Sequence, residues 1–96
     1  SIWIAILKTY YQILTKANRI VYMKISIEYC SIWNYLPKAS SLESELEQIY
    51  PDAEIKLVSS GGGVFEVMVN GNLIFSKKSL DRFPEKGEIV NLINMD

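Results

Sequence analysis

Cys30 is the only cysteine in the chain, and the chain has no histidine. A lone thiol cannot close an internal disulfide. Without histidine, no His-based nucleophile dyad or triad and no usual transition-metal site can form. What remains is thiol chemistry. Cys30 follows an alternating run and precedes an amphipathic one, so it falls at a strand-to-helix turn, where free backbone N–H groups and the helix dipole favour a thiolate. A free cysteine at such a place is equally suited to be a small apolar residue at the edge of the core. In a Cys-x-x-Cys couple the second thiol lies three residues on, and that position holds Trp33.

Other polar clusters carry less. Gly61, Gly62 and Gly63 lack the strand-before, helix-after setting of a phosphate loop and read as a flexible connection. Glu43 and Glu47 share a helix face, but like charges four apart mildly repel, so a solvated surface is expected rather than a metal patch. Lys77 and Lys78 read as a solvated loop. Ile32 and Trp33, beside Tyr35 and Leu36, form an apolar loop of the kind that marks partner surfaces when exposed.

The elements that must position Cys30 follow from periodicity. Residues 23–29 alternate Met23, Ile25, Ile27 and Tyr29 with Lys24, Ser26 and Glu28, the period of a strand. Residues 37–50 place Ala39, Leu42, Leu46, Ile49 and Tyr50 on one helical face, and Pro51 stops the helix. A second strand is expected over 53–58, and two β-prone runs, 64–69 and 72–76, flank Asn70-Gly71, the dipeptide suited to a type I′ hairpin turn. A polar loop over 77–84 then leads to a short helix over 85–94. The order is β-α-β-β-β-α, an α/β (α+β) unit with a four-stranded mixed sheet, compatible with a thioredoxin-like arrangement. The strand–helix–strand start implies a parallel pair with a right-handed crossover.

Composition bounds the rest. Ninety-six residues, 49% hydrophobic and 22% charged, make one small folded domain. A net charge of −1 argues against nucleic acid as a partner. The charge is uneven: residues 1–22 hold Lys8, Lys16 and Arg19 and no acid, whereas all eleven acidic residues lie from Glu28 onward. This segment reads as a non-core extension before a domain of residues 23–96, with Met23 as the expected natural start. Three readings stand for it: upstream sequence read through, a helix over roughly 2–16 packing on the domain, or a weak targeting or membrane-surface segment. Its apolar run, Ile2–Leu7, is too short for a membrane span. The lone thiol suits a reducing compartment, and the cytoplasm is the expected location.

From Glu28 to Ala39 the string Glu-Tyr-Cys-Ser-Ile-Trp-Asn-Tyr-Leu-Pro-Lys-Ala resembles the redox motif of the selenoprotein W, T and H family, the Rdx family. Leu42, Leu46 and Tyr50-Pro51 resemble its helix and helix end. Gly63 to Lys77 is similar to its hairpin, and Phe83-Pro84 to the aromatic-Pro element that can follow. The resemblance covers about residues 23–95. It implies a thioredoxin-like fold and a thiol/selenol oxidoreductase acting in redox homeostasis, with Cys30 and position 33 as the redox pair. It further implies glutathione or a thioredoxin-type reductant as partner and no separate cofactor. Trp33 departs from the family pattern, which has selenocysteine or cysteine there. Selenocysteine is encoded by UGA, a codon that some genetic codes read as tryptophan, so Trp33 is expected to mark a selenocysteine; the other tryptophan, Trp3, lies in the 1–22 segment. The alternative is a genuine tryptophan in a redox-inactive or monothiol binding module.

Overall fold

The structure is a computed structural model that describes residues 23–95. The helix expected over residues 2–16, and the extension as a whole, lie outside the described residues. The elements run β1 (Lys24–Cys30), α1 (Leu36–Ile49), β2 (Glu54–Ser60), β3 (Phe65–Val69), β4 (Asn72–Ser76), α2 (Lys77–Leu80) and α3 (Glu88–Asn94). The sheet has strand order β2-β1-β3-β4, with β1 parallel to β2 and the other pairs antiparallel. This is the mixed four-stranded, thioredoxin-like architecture that the periodicities imply.

Alternation decides which face is covered. Ile25 and Ile27 of β1, Phe65, Val67 and Val69 of β3, and Phe75 of β4 form one cluster with Ala39, Leu42 and Leu46 of α1 and Ile89 of α3. Both longer helices therefore lie on the same side of the sheet. Truncating a fully buried member such as Ile27 to alanine costs roughly 2–5 kcal/mol, because the methylenes leave both a transfer loss and a void. On the other side Ser26, Lys56, Val58 and Met68 are at least partly exposed.

The hairpin turn forms as its dipeptide dictates. Asn70 and Gly71 both take positive φ, 51° and 83°, and Val69 pairs with Asn72 across the turn. One strand residue further on, the ladder slips: Met68 pairs with Leu73 but Val67 with Phe75, leaving Ile74 as the extra residue of a bulge. Leu73 and Phe75, two positions apart, consequently lie on opposite faces. Phe75 is buried and Leu73 is 55% exposed.

Several boundaries depart from the sequence reading. β1 runs one residue further, because the Cys30 N–H donates to the Val64 carbonyl at 3.0 Å and so continues the strand's pairing. β2 absorbs Ser59 and Ser60, which pair with Tyr29 and Cys30, so the flexible connection shrinks to the glycines. The loop over 77–84 contains α2, whose N-cap Ser76 accepts a hydrogen bond from the Ser79 N–H. The last helix begins at Glu88, after Gly87 in the left-handed region, rather than at residue 85. Ile49, assigned to the buried face of the helix, is 49% exposed, since it ends α1 beyond the cover of the sheet.

Candidate functional site

The segment after β1 is a tight turn held from two sides. Within it, the Asn34 N–H donates to the Ser31 carbonyl at 3.1 Å and the Tyr35 N–H to the Cys30 carbonyl at 3.0 Å. Asn34 supplies the left-handed residue, φ 59°, that turns the chain into α1. Pro37 lies in the first turn of α1, where its missing N–H leaves no intrahelical bond unmade. From outside, the Ser31 N–H and hydroxyl both donate to the Ser60 carbonyl, at 3.0 and 3.3 Å. The turn is thus pinned to the end of β2 and to the glycine segment before β3.

Within this frame the two residues singled out from the sequence differ sharply. Cys30 is 0% exposed yet stands outside the contiguous core cluster, and in the pleat it falls in phase with Ser26 and Glu28 rather than with Ile25 and Ile27. Trp33 is 60% exposed and Ile32 83%. The indole lies against Gly63: a Cβ built on that glycine would meet ring atoms of Trp33 at 2.3, 2.7 and 3.0 Å. Only a residue without a side chain fits beneath the ring at that approach.

From Trp33 an aromatic ladder leads toward the core. Its ring meets Tyr35 edge-on at 6.2 Å between centroids, Tyr35 meets Phe83 at 4.7 Å, and Phe83 meets the buried Phe65 at 5.3 Å. Two ammonium groups rest on this ladder. Lys38 Nζ lies 4.6 Å from the Phe83 centroid, and Lys77 Nζ lies 5.5 Å from the centroids of both Tyr35 and Phe83. Lys77 is therefore not the solvated loop residue that its neighbourhood in the sequence suggests. It opens α2, its N–H donates to the Glu66 carboxylate at 2.8 Å, and its ammonium is brought to Tyr35 at the end of the turn after β1. The convergence itself carried no signal, because three separate segments supply Tyr35 with Lys38, Lys77, and Phe83, although each lies in a stretch marked by resemblance.

The acids nearby serve the backbone. Glu66 accepts from the Ser76 hydroxyl at 2.6 Å and from Lys77 N–H, and Glu45 accepts from the Gly87 N–H at 2.9 Å. Arg82 grips Glu88 with two bonds of 2.7 and 2.8 Å and, with the Glu85 N–H, holds its carboxyl down at about 2. No helix among the described residues is long and apolar enough to cross a membrane.

A cysteine closing the first strand of a mixed four-stranded sheet, with a short turn between it and the first helix, defines a thioredoxin-like domain. Residues 24–95 match the family model described as Rdx family, and the chain belongs to that family. Selenoprotein W of Danio rerio is 37% identical over 65 residues, 64% of this chain and 74% of that protein. Migration and invasion enhancer 1 of Bos taurus is 32% identical over 71 residues, 74% of this chain but 62% of that protein, so the match spans about three fifths of that relative. Among solved structures, a selenoprotein W-related protein from Vibrio cholerae superposes with a TM-score of 0.72 at 27% identity, covering 76% of this chain and 94% of that one. A protein from Bordetella parapertussis gives the same TM-score at 28% identity, covering 76% and 95%.

Proposed function

We propose that the domain is a thiol/selenol oxidoreductase of the selenoprotein W type, in which position 33 carries the attacking group, Cys30 resolves the product, and Trp33 stands where the natural protein has selenocysteine. The observation that carries this reading is the contrast within one turn: Cys30 is 0% exposed and residue 33 is 60% exposed. A group that must meet an outside substrate belongs at the exposed position, and a group that must meet only its neighbour can be buried. Nothing in the packing requires an indole at position 33. The half-exposed ring covers the buried Gly63 and stands outside the core cluster, so a smaller side chain there opens a surface hollow and leaves the core intact.

The cycle balances as follows. A selenolate at position 33 attacks one sulfur of a substrate disulfide, forming a Se–S bond and releasing one thiolate. The Cys30 thiolate then attacks selenium, forms the internal selenenylsulfide and releases the second thiolate; two electrons have passed to the substrate. With a peroxide, selenium takes one oxygen, an alcohol or water leaves, and Cys30 condenses with the selenenic acid to release water. Two thiol equivalents, from glutathione or a thioredoxin-type protein, reset the pair. The cytoplasm suits this cycle, because the reset draws on a reducing thiol pool.

A second reading has its own support. Ile32, Trp33 and Leu36 are exposed apolar residues, 83%, 60% and 44%, and a native tryptophan there favours docking of a partner. Cys30 could then form only mixed disulfides, after the turn opens. The Trp33→Cys variant separates the two. The oxidoreductase reading expects mild oxidation to give a monomer lighter by two hydrogens, with no alkylatable thiol left. Two free thiols, or cross-linked dimers alone, would show that the turn cannot bring residues 30 and 33 into bonding contact.

A further inference from the structure

We propose that the outer edge of β2 pairs with the β2 edge of a second copy of this chain, antiparallel and centred on Ile55, joining two sheets into one. The backbone shows which groups are free to do so. The Glu54 N–H donates to the Met23 carbonyl at 2.9 Å, and the Ser60 carbonyl accepts from the Ser31 N–H at 3.0 Å. The even-numbered residues of β2 therefore direct their polar groups toward β1. Successive residues of a strand alternate in this direction, so Ile55, Leu57 and Ser59 turn their N–H and C=O groups outward. On that side β2 has no neighbouring strand among the described residues. Such a row is a template for another strand.

The opposite edge of the sheet is built differently. β4 has five residues, its pairing with β3 is broken by the bulge, and α2 follows it at once. Short length and distortion are means of keeping an edge from pairing. β2 has seven residues and no proline, and it keeps an unbroken register with β1 over its whole length. Its helix-side residues Ile55 and Leu57 pack against the core yet remain only half-buried, with no strand flanking them on the outer side.

Charge selects both the partner and the register. On the open face of the sheet β2 presents Glu54, Lys56 and Val58, all exposed. Centring the pair on Ile55 sets Glu54 of each copy directly opposite the partner's Lys56, in the closer, non-hydrogen-bonded kind of pair. Moving the centre by one residue sets Lys56 against Lys56 or Glu54 against Glu54, which repel. Centring on Leu57 leaves Lys56 opposite Val58 and Glu54 opposite Ser60, with neither charge answered. Glu54 already lies beside Lys24 in the sheet, so the row across the junction alternates in sign: Lys24, Glu54, the partner's Lys56. Within one chain Lys56 meets Glu54 only at 3.9 Å, between side chains that are 73% and 49% exposed, a contact easily exchanged for the partner's carboxylate.

The helix side agrees with this register. It places Ile55 against Ile55 and Leu57 against Ala53, apolar throughout, so the strand complements itself on both faces as a two-fold contact requires. The Ile55 N–H would donate to the partner's Ile55 carbonyl and the Leu57 N–H to the partner's Ala53 carbonyl. The Ala53 N–H is already bonded to the Tyr50 carbonyl, and Pro51 has no N–H, so the ladder ends there. Cys30 pairs with Ser60, at the far end of β2, about 17 Å along the strand from Ile55. The paired molecule thus leaves the turn after β1 open in both copies.

Sedimentation equilibrium of the full chain, from micromolar to millimolar concentration, tests the pairing. The expected result is a reversible monomer–dimer equilibrium. Glu54→Lys sets lysine against lysine at both symmetric places and is expected to weaken the dimer about tenfold. Adding Lys56→Glu restores opposite signs in reverse and is expected to recover it. In the unaltered chain, amide exchange at Ile55 and Leu57 should slow as concentration rises, while that of Lys56, whose N–H already faces β1, should not change. A monomer at every concentration would overturn the proposal. So would a dimer that Glu54→Lys leaves intact, which places the contact elsewhere, or a loss that the reversed pair does not recover. Both substituted positions are exposed, and the amide spectra report whether the variants keep the parent fold.

Discussion

Gly62 and Gly63 take nearly the same left-handed conformation, φ 70° and 72°, but only Gly63 has a neighbour where its Cβ would be, the indole of Trp33. This pair of glycines makes a clean comparison. Alanine at either position meets a backbone penalty of about 1–2 kcal/mol for leaving the conformation to a residue with a side chain. At Gly63 the substitution must also displace the ring. Chemical denaturation is expected to show Gly63→Ala as the more destabilising, and Trp33→Ala in that background is expected to recover the difference but not the shared part. Equal losses from the two alanines would mean that the indole does not rest on Gly63 in solution.

The elements that carry the site are tied by polar contacts that titrate. Glu88 opens α3 and its carboxyl is held at about 2, below the ordinary value of 4.5, first by the Arg82 guanidinium and then by the Glu85 N–H. A lowered folded-state value means that the charged form is favoured by folding, so this contribution is complete above about pH 4.5 and is lost as pH falls toward 2. NMR titration of the Glu88 carboxyl carbon should find its midpoint near that low value, and Arg82→Ala should raise it toward 4.5 while leaving the hairpin unaltered. An unchanged midpoint in the variant would assign the shift to the backbone donor alone. Because Phe83 follows Arg82, this clasp also fixes the ring on which Lys38 and Lys77 rest.

At the scale of the whole molecule, local signals were legible and convergent ones were not. The type I′ turn at Asn70-Gly71 could be read because two adjacent residues decide it, and the place of Cys30 at the end of the first strand, to within one residue, because alternation ends there. The bulge at Ile74 could not, since it depends on how β4 meets β3 rather than on either run alone. Ser59 and Ser60 looked like loop because their composition is polar, yet β1 supplies pairing partners for both. In the candidate site, the exposure of Ile32 and Trp33 follows from their place in a polar-bounded loop, whereas the burial of Cys30 and the meeting of Lys38, Lys77, Tyr35 and Phe83 require the fold. All the buried apolar residues described here lie between Ile25 and Ile89, within the stretch that matches the family. The central claim, that position 33 and Cys30 form a redox pair, is tested most directly by the intact mass of the protein purified from its own source, together with the codon at position 33. The account predicts a UGA codon and a mass containing selenium. A UGG codon with a tryptophan-containing mass would contradict it and leave a lone, buried thiol beside an exposed indole.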